Sequence, residues 1–222
     1  MIPTKTADGR DTFPLKFSLP AEFRPIDLAG DAAQRAEALH EQLLTTLPDL
    51  TADQRLHVLL ANQYMVERMV SEGVIYAATF LGRSDRDPSA LSVAQFHVLV
   101  RDGGKRHERV LETIQDALRN ERKQSQAQLV DLPIGRCLVV VAEDQFVTPV
   151  NLLGQATDKV RRVWQIQLIF PLFEQEKLAF FTLSTECLRD WDDYVGMMAE
   201  ISKTIAWIEP GERSAISAAL DG

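Results

Sequence analysis

Apolar and polar residues alternate over Phe13, Leu15, Phe17 and Leu19, with Pro14, Lys16 and Ser18 between them. Period two predicts a half-buried strand. Proline cannot donate to a ladder, so Pro14 puts this strand at its beginning or at a sheet edge, and Pro20 and Pro25 close it. The period then lengthens. Ala32, Ala36, Leu39, Leu43 and Leu47 recur at spacings of three and four, which predicts a helix with Asp31 as its N-cap. Pro48-Asp49-Leu50-Thr51 breaks it. Thr51 and Gln54 then occupy the capping-box positions of a second helix. Its expected stripe is Leu56, Leu59, Leu60, Gln63, Val66 and Val70, and Gly73 ends it as a left-handed cap. Residues 31–73 therefore read as a helical hairpin.

Val74 to Leu81 is apolar on both faces, the pattern of a strand covered on two sides. A turn cluster, Gly82 to Ser89, separates it from a strand over Ala90 to Val100. A helix is expected over 105–123, with Val110, Leu111, Ile114, Ala117 and Leu118 on its inner face. Leu129 to Leu132 and Gly135 to Ala142 read as strands, and 143–159 as irregular. From Val160 to Ile208 the pattern is strand, charged turn, strand, amphipathic helix. Short turns make successive strands antiparallel. The expected architecture is α+β: one antiparallel sheet of about six strands flanked by helices, with the hairpin of 31–73 inserted. The single domain runs over 13–209, between a flexible arm at 1–12 and a flexible tail at 210–222.

Composition narrows the partners. The 222 residues carry a net charge of −8, with 45% hydrophobic and 25% charged residues. That is the composition of a globular chain. It argues against a nonspecific nucleic-acid or anionic-membrane partner, since both require a basic face. The densest basic group, Arg106, Arg109, Arg119, Arg122 and Lys123, has acidic residues among it. No apolar run approaches the roughly 20 residues that span a bilayer, and no leader pattern opens the chain. A cytoplasmic location is expected. Cys137 and Cys187 are too few for a metal or disulfide framework and are expected as reduced thiols.

The chemistry is harder to find. Asp102-Gly103-Gly104-Lys105 lacks the spacing of a phosphate loop, and no nucleophile elbow occurs. His40, His57, His97 and His107 form no metal-binding pair. Neither a metal nor a cofactor is expected, and no catalytic residue is assigned. Glu186, Asp190, Asp192 and Asp193 are read as complementing the positive end of the last helix, with Asp190 and Asp193 facing solvent. Two strands carry a distinct signal. Gln95 and His97 share one strand face with Val93 and Leu99, and Gln165 and Gln167 share one with Val163 and Ile169. Placed on the same side of the sheet, these four make a polar patch of amides and an imidazole framed by aliphatics, suited to hydrogen-bonding a ligand or peptide. An exposed patch also implies that truncating Gln165 or His97 leaves stability unchanged. Tyr64, Met65 and Met69, lying outside the expected stripe, form a second candidate surface for a partner or for self-association.

The closing block adds a resemblance. Ile169-Phe170-Pro171-Leu172-Phe173, Leu178 to Thr185, and Met198 through Ile205-Ala206-Trp207 look like the end of many uncharacterised actinobacterial proteins. The pattern is similar to that of the PsbP-like α/β/α sandwich, which includes mycobacterial lipoproteins of the LpqN type. Glu186 replaces the proline usual after Ser184-Thr185. The resemblance implies an antiparallel sheet between helical layers and a role in binding proteins or small ligands. It carries over no functional residue, and the hairpin has no counterpart in it. The expected function is that of a noncatalytic binding or accessory protein acting on a protein partner. The alternative is an enzyme or small-ligand receptor whose site gathers scattered residues such as His57, His97, Gln165 and Glu67 on the sheet face and hairpin.

Overall fold

The computed structural model describes residues 13–103, 109–121, 125–148 and 159–208. The expected arm and tail fall outside these residues. Among these described residues, four helices, α1 (Ala32–Thr46), α2 (Ala52–Glu72), α3 (Val110–Glu121) and α4 (Trp191–Thr204), accompany nine strands. The strands are β1 (Leu15–Lys16), β2 (Phe23–Pro25), β3 (Val74–Arg83), β4 (Leu91–Asp102), β5 (Gln126–Leu132), β6 (Gly135–Thr148), β7 (Lys159–Leu172), β8 (Lys177–Thr185) and β9 (Ala206–Trp207). Seven of them form one sheet in the order β2-β3-β4-β8-β7-β6-β5, antiparallel throughout. β1 and β9 form a separate pair. The class is α+β, as expected, with one strand more in the main sheet than "about six" implies.

The chain builds β2-β3-β4 as a meander and crosses through α3 to the far edge. It then returns as a second meander, β5-β6-β7-β8, that ends beside β4. The two centre strands thus meet from opposite ends of the sequence. Their alternation sends Phe96, Val98, Phe181 and Leu183 to one face, where Phe13, Leu15 and Phe17 and the inner side of α4 (Tyr194, Met198, Ile201) cover them. Phe17 stands edge-on to Phe181 at 5.5 Å between ring centroids and lies 5.4 Å from Phe96. The expected first strand is therefore mostly a buried strap; only Leu15 and Lys16 pair as strand.

Two separate groups cover the opposite face. The hairpin packs Leu43, Leu47 and Leu50 over Leu81 and Val93, and Met69 over Val74, Ala77 and Leu99. Helix α3 packs Leu111, Ile114 and Leu118 over Leu138, Val140, Ile169 and Leu178. Between them lies the middle of the sheet.

Several sequence readings change here. β6 continues to Thr148 and β7 begins at Lys159, so the two ends of the segment read as irregular are strand, with Glu143 opposite Trp164 and Asp144 opposite Val163; 149–158 lie outside the described residues. β2, hidden between prolines, is an extra edge strand. The α2 stripe is rotated: Val66 and Met69 are buried, whereas Leu56 and Val70 are 52% and 49% exposed. The tight turn at Gly73 fixes which side of α2 meets β3. Asp31 sits at the N-cap of α1 without a side-chain cap bond.

The α2 caps are as expected. Thr51 Oγ1 accepts from the Gln54 N–H at 3.2 Å, and Gln54 Oε1 accepts from the Thr51 N–H at 2.8 Å. Gly73 has φ +78°, and a Cβ there would meet nothing within 4 Å. Gly73→Ala is therefore expected to cost about 1 kcal/mol from backbone strain alone. Urea unfolding measures it; a loss several times larger would show that the turn also packs.

Candidate functional site

The register aligns the two polar strand faces. Across the sheet, His97 of β4 lies opposite Thr182 of β8, which lies opposite Gln167 of β7. One step along, Thr79 of β3, Gln95, Ser184 and Gln165 form a parallel row. Cross-strand partners share a face, so Gln95, His97, Gln165 and Gln167 occupy one side. β8 sits between β4 and β7 and adds Thr182 and Ser184. The next row, Leu99, Phe180, Ile169 and Leu138, is apolar and passes beneath Met69 and α3. The result is a polar strip two residues deep, bounded by the hairpin on one side and α3 on the other.

Within the strip the groups differ. Gln167 Nε2 donates to Thr182 Oγ1 at 2.9 Å, which fixes that amide and leaves its Oε1 free to accept. Gln95, Gln165, Gln167 and Ser184 are half-buried, and Thr182 is buried. Buried polar atoms normally have partners, yet His97 Nδ1 and Thr79 Oγ1 have none among the described residues. Desolvation pushes the His97 imidazole down to about 4, and the Glu72 carboxylate partly opposes this. The ring is neutral at pH 7, so it both donates and accepts. His97 is half-buried like Gln165, but its Nδ1 is enclosed without a partner, whereas Gln165 has no such atom.

The rim on the hairpin side carries Arg68 and Glu72. Arg68 Nε donates to Glu72 Oε1 at 2.7 Å, and this bond holds the guanidinium above its ordinary pKa. Tyr64 and Asp144 lie within electrostatic reach of Arg68. The hairpin candidates separate: Tyr64 and Met65 are half-buried, whereas Met69 is 5% exposed and belongs to the core. Burial removes Met69 from any surface formed by the folded chain.

The scattered-residue alternative is not assembled. His40 and His57 are exposed on the hairpin. His57 lies some four turns along α2 from Glu72, the carboxylate near His97. Glu67 is engaged by Gln63 Nε2 at 2.8 Å. No group of three or more His, Cys, Asp or Glu side chains suited to a metal occurs among the described residues. Both cysteines are free thiols, and burial pushes Cys137 up to about 11, which leaves it unreactive. No described helix is long and apolar enough to cross a membrane.

The acidic cluster is corrected. Asp190 is 4% exposed, and its carboxylate accepts from Ser84 Oγ and Ser92 Oγ, both at 2.5 Å. Ser92 Oγ also lies 2.6 Å from Tyr194 Oη, and burial holds that phenol protonated. Asp192 and Asp193 sit in the first turn of α4 and face Arg86 at 3.3 and 3.5 Å, while Asp87 accepts from Arg189 at 2.7 Å. This cluster ties the β3–β4 turn to the start of α4. It is a fastening, with every hydroxyl and carboxylate of its buried part engaged.

Among the described residues, the polar strip is thus the place where sequence-predicted site residues converge with unpartnered buried polar atoms. No protein-family model, curated protein or solved structure matches the chain, so the strip is read from its own chemistry.

Proposed function

We propose that this is a noncatalytic binding protein that engages a protein partner through the polar strip between the hairpin and α3. One observation carries the reading: Gln95, His97, Gln165 and Gln167 lie on one face with Thr79, Thr182 and Ser184. These groups hydrogen-bond in both directions. None is an ionised nucleophile, and among the described residues no carboxylate is hydrogen-bonded to the imidazole as the orienting member of a triad would be. Such a surface recognises more readily than it reacts.

A second reading, a receptor for a small polar ligand, draws on His97 Nδ1 and Thr79 Oγ1. A small molecule or a buried water would satisfy both. Site-specific photocrosslinking in the native host separates the two. A photoreactive residue at Gln95 or Gln165 is expected to yield a discrete protein adduct, and one at Glu200, exposed on α4, is expected to yield none. Equal adducts from all three positions, or only a small molecule attached at the strip, would overturn the protein-partner reading. Gln165→Ala is expected to abolish the adduct formed from Gln95 while moving the melting temperature by no more than about 1–2 °C, since the side chain is half-exposed.

A further inference from the structure

The sheet ends differently on its two sides. β2 is three residues long and finishes at Pro25, which cannot donate. β5 closes the other side over seven residues, with no proline, no lysine and no bulge in its register with β6. Proline, lysine and bulges are the devices that keep an open edge from pairing. The one charge of β5, Asp131, lies 3.4 Å from Arg136. Ala127 and Leu129 pack under α3, and Val130 and Leu132 pack on the opposite face, so β5 is covered on both faces as an interior strand is. The turn before β6 holds only Pro133 and Ile134, which makes Leu132 and Gly135 a hydrogen-bonded pair. Bonded pairs recur at every second residue, so Ala127, Leu129 and Asp131 point their N–H and C=O away from β6. A bond from α3 fits this direction. Gln115 Nε2 donates to the Ala127 carbonyl at 2.9 Å, where the N–H of a neighbouring strand would stand. The carbonyl keeps a second lone pair. No described strand pairs on that side.

We propose that this edge docks a second copy of the chain, β5 against β5, in antiparallel register about a two-fold axis at Leu129. In that register Leu129 meets its own counterpart, and Asp131 meets Ala127 of the second copy and never another Asp131. The outward groups then exchange about six main-chain hydrogen bonds. The same axis arranges charge. Glu112 of α3 reaches Arg136, beside Asp131, at 3.2 Å, and Gln115 reaches Ala127, so α3 runs from the Asp131 end of β5 toward the Ala127 end. Arg119, one turn beyond Gln115, has a side chain 61% exposed and stands at the Ala127 end. The second copy's Asp131, whose side chain is 80% exposed, arrives at that end, and symmetry makes the pair twice. The helices leave room. α3 lies over β5, β6 and β7, so its axis and that of the second copy stand about three strand spacings apart, ~14 Å, which clears two helices of ~10–12 Å diameter. The edge lies beyond α3 from the polar strip, so this dimer does not depend on the strip's occupant.

Sedimentation equilibrium of the full chain tests this. The wild type is expected to form a concentration-dependent dimer. Asp131→Arg and Arg119→Asp should each weaken it about tenfold or more, because each turns two attractive pairs into repulsive ones. The double variant restores the pairs with their signs exchanged and should recover most of the loss. Asp131→Pro removes an outward N–H without touching the ladder to β6 and should weaken the dimer as well. Circular dichroism of each variant at low concentration checks that the fold is kept. Hydrogen exchange supplies the position: the Leu129 amide should slow as the concentration rises, in the wild type and in the double variant. A monomer at every concentration up to the millimolar range would overturn the inference. So would a dimer that the three single variants leave at full strength, a double variant as weak as the single ones, or a Leu129 amide whose exchange ignores concentration.

Discussion

Asp190→Ala is expected to destabilise the fold by about 3–5 kcal/mol, the largest single-residue effect proposed for this chain. The carboxylate is buried and accepts from two serine hydroxyls at 2.5 Å, one on the β3–β4 turn and one on β4. Ser84 Oγ in turn accepts from the backbone N–H groups of Arg86 and Asp87, both at 3.2 Å, and so holds the turn. Removing the carboxylate leaves the buried Ser84 hydroxyl without an acceptor, at about 1–3 kcal/mol, leaves Ser92 only Tyr194 Oη to donate to, and opens a cavity beside Tyr194. Asp190→Asn keeps the shape and one acceptor oxygen, so about half the loss is expected. Arg86→Ala touches only the exposed pairs with Asp192 and Asp193 and should change stability little. Urea unfolding of the three variants gives the comparison. If Asp190→Ala and Arg86→Ala lose similar amounts, water satisfies the network and Asp190 is not its keystone.

Why this role escaped a reading of the sequence is a matter of distance along the chain. Carboxylates before a helix suit its positive end, and that logic holds for Asp192 and Asp193. It cannot see that Ser84 and Ser92 stand 106 and 98 residues away in sequence and come to rest against Asp190. The fold was more legible where the signals are local. Thr51 with Gln54, Gly73, and the alternations of β7 and β8 all act within a few residues. β2 was hidden because Phe23-Arg24-Pro25 lies among prolines that read as turns; it is strand only because β3 offers Ala78, Thr79 and Phe80 as partners. The end of β6 was hidden because Glu143 and Asp144 look like loop residues until β7 supplies their ladder.

The strip was half legible. Alternation within β4 and within β7 shows that each has two polar residues on one face. It does not say that those faces coincide, nor that β8 lies between them. The register decides both. It also leaves His97, half-buried like Gln95 and Gln165, with an enclosed Nδ1 that has no partner among the described residues, a feature invisible in the alternation itself. Met69 illustrates the same point: one residue of phase in α2, Met69 buried where Val70 was expected, moves it from a surface candidate into the core against Val74 and Ala77.

Lowering the pH from 7 to 4 is expected to remove about 3 kcal/mol of stability through His97 alone. Burial lowers the folded-state imidazole from 6.5 to about 4. Between these values the unfolded chain binds the proton and the folded chain does not, so stability rises with pH across that window. The contribution is fully present above pH 6.5, declines as pH falls, and is gone near pH 4. At about 1.4 kcal/mol per pH unit the difference amounts to roughly 3 kcal/mol. Carboxylates elsewhere also titrate as the solution is acidified, so the prediction is read as a difference. His97→Gln keeps a polar, uncharged side chain and should flatten that part of the profile, leaving variant and wild type closer in stability at pH 4 than at pH 7 by about that amount. Glu72 sharpens the test. Its carboxylate favours the protonated ring, so Glu72→Gln should push the His97 titration lower still. An NMR titration follows the ring directly. A His97 midpoint near 6.5 in the folded protein would mean that water already reaches Nδ1, and the strip would then offer a hydrated imidazole in place of the unpartnered one on which the small-ligand reading draws.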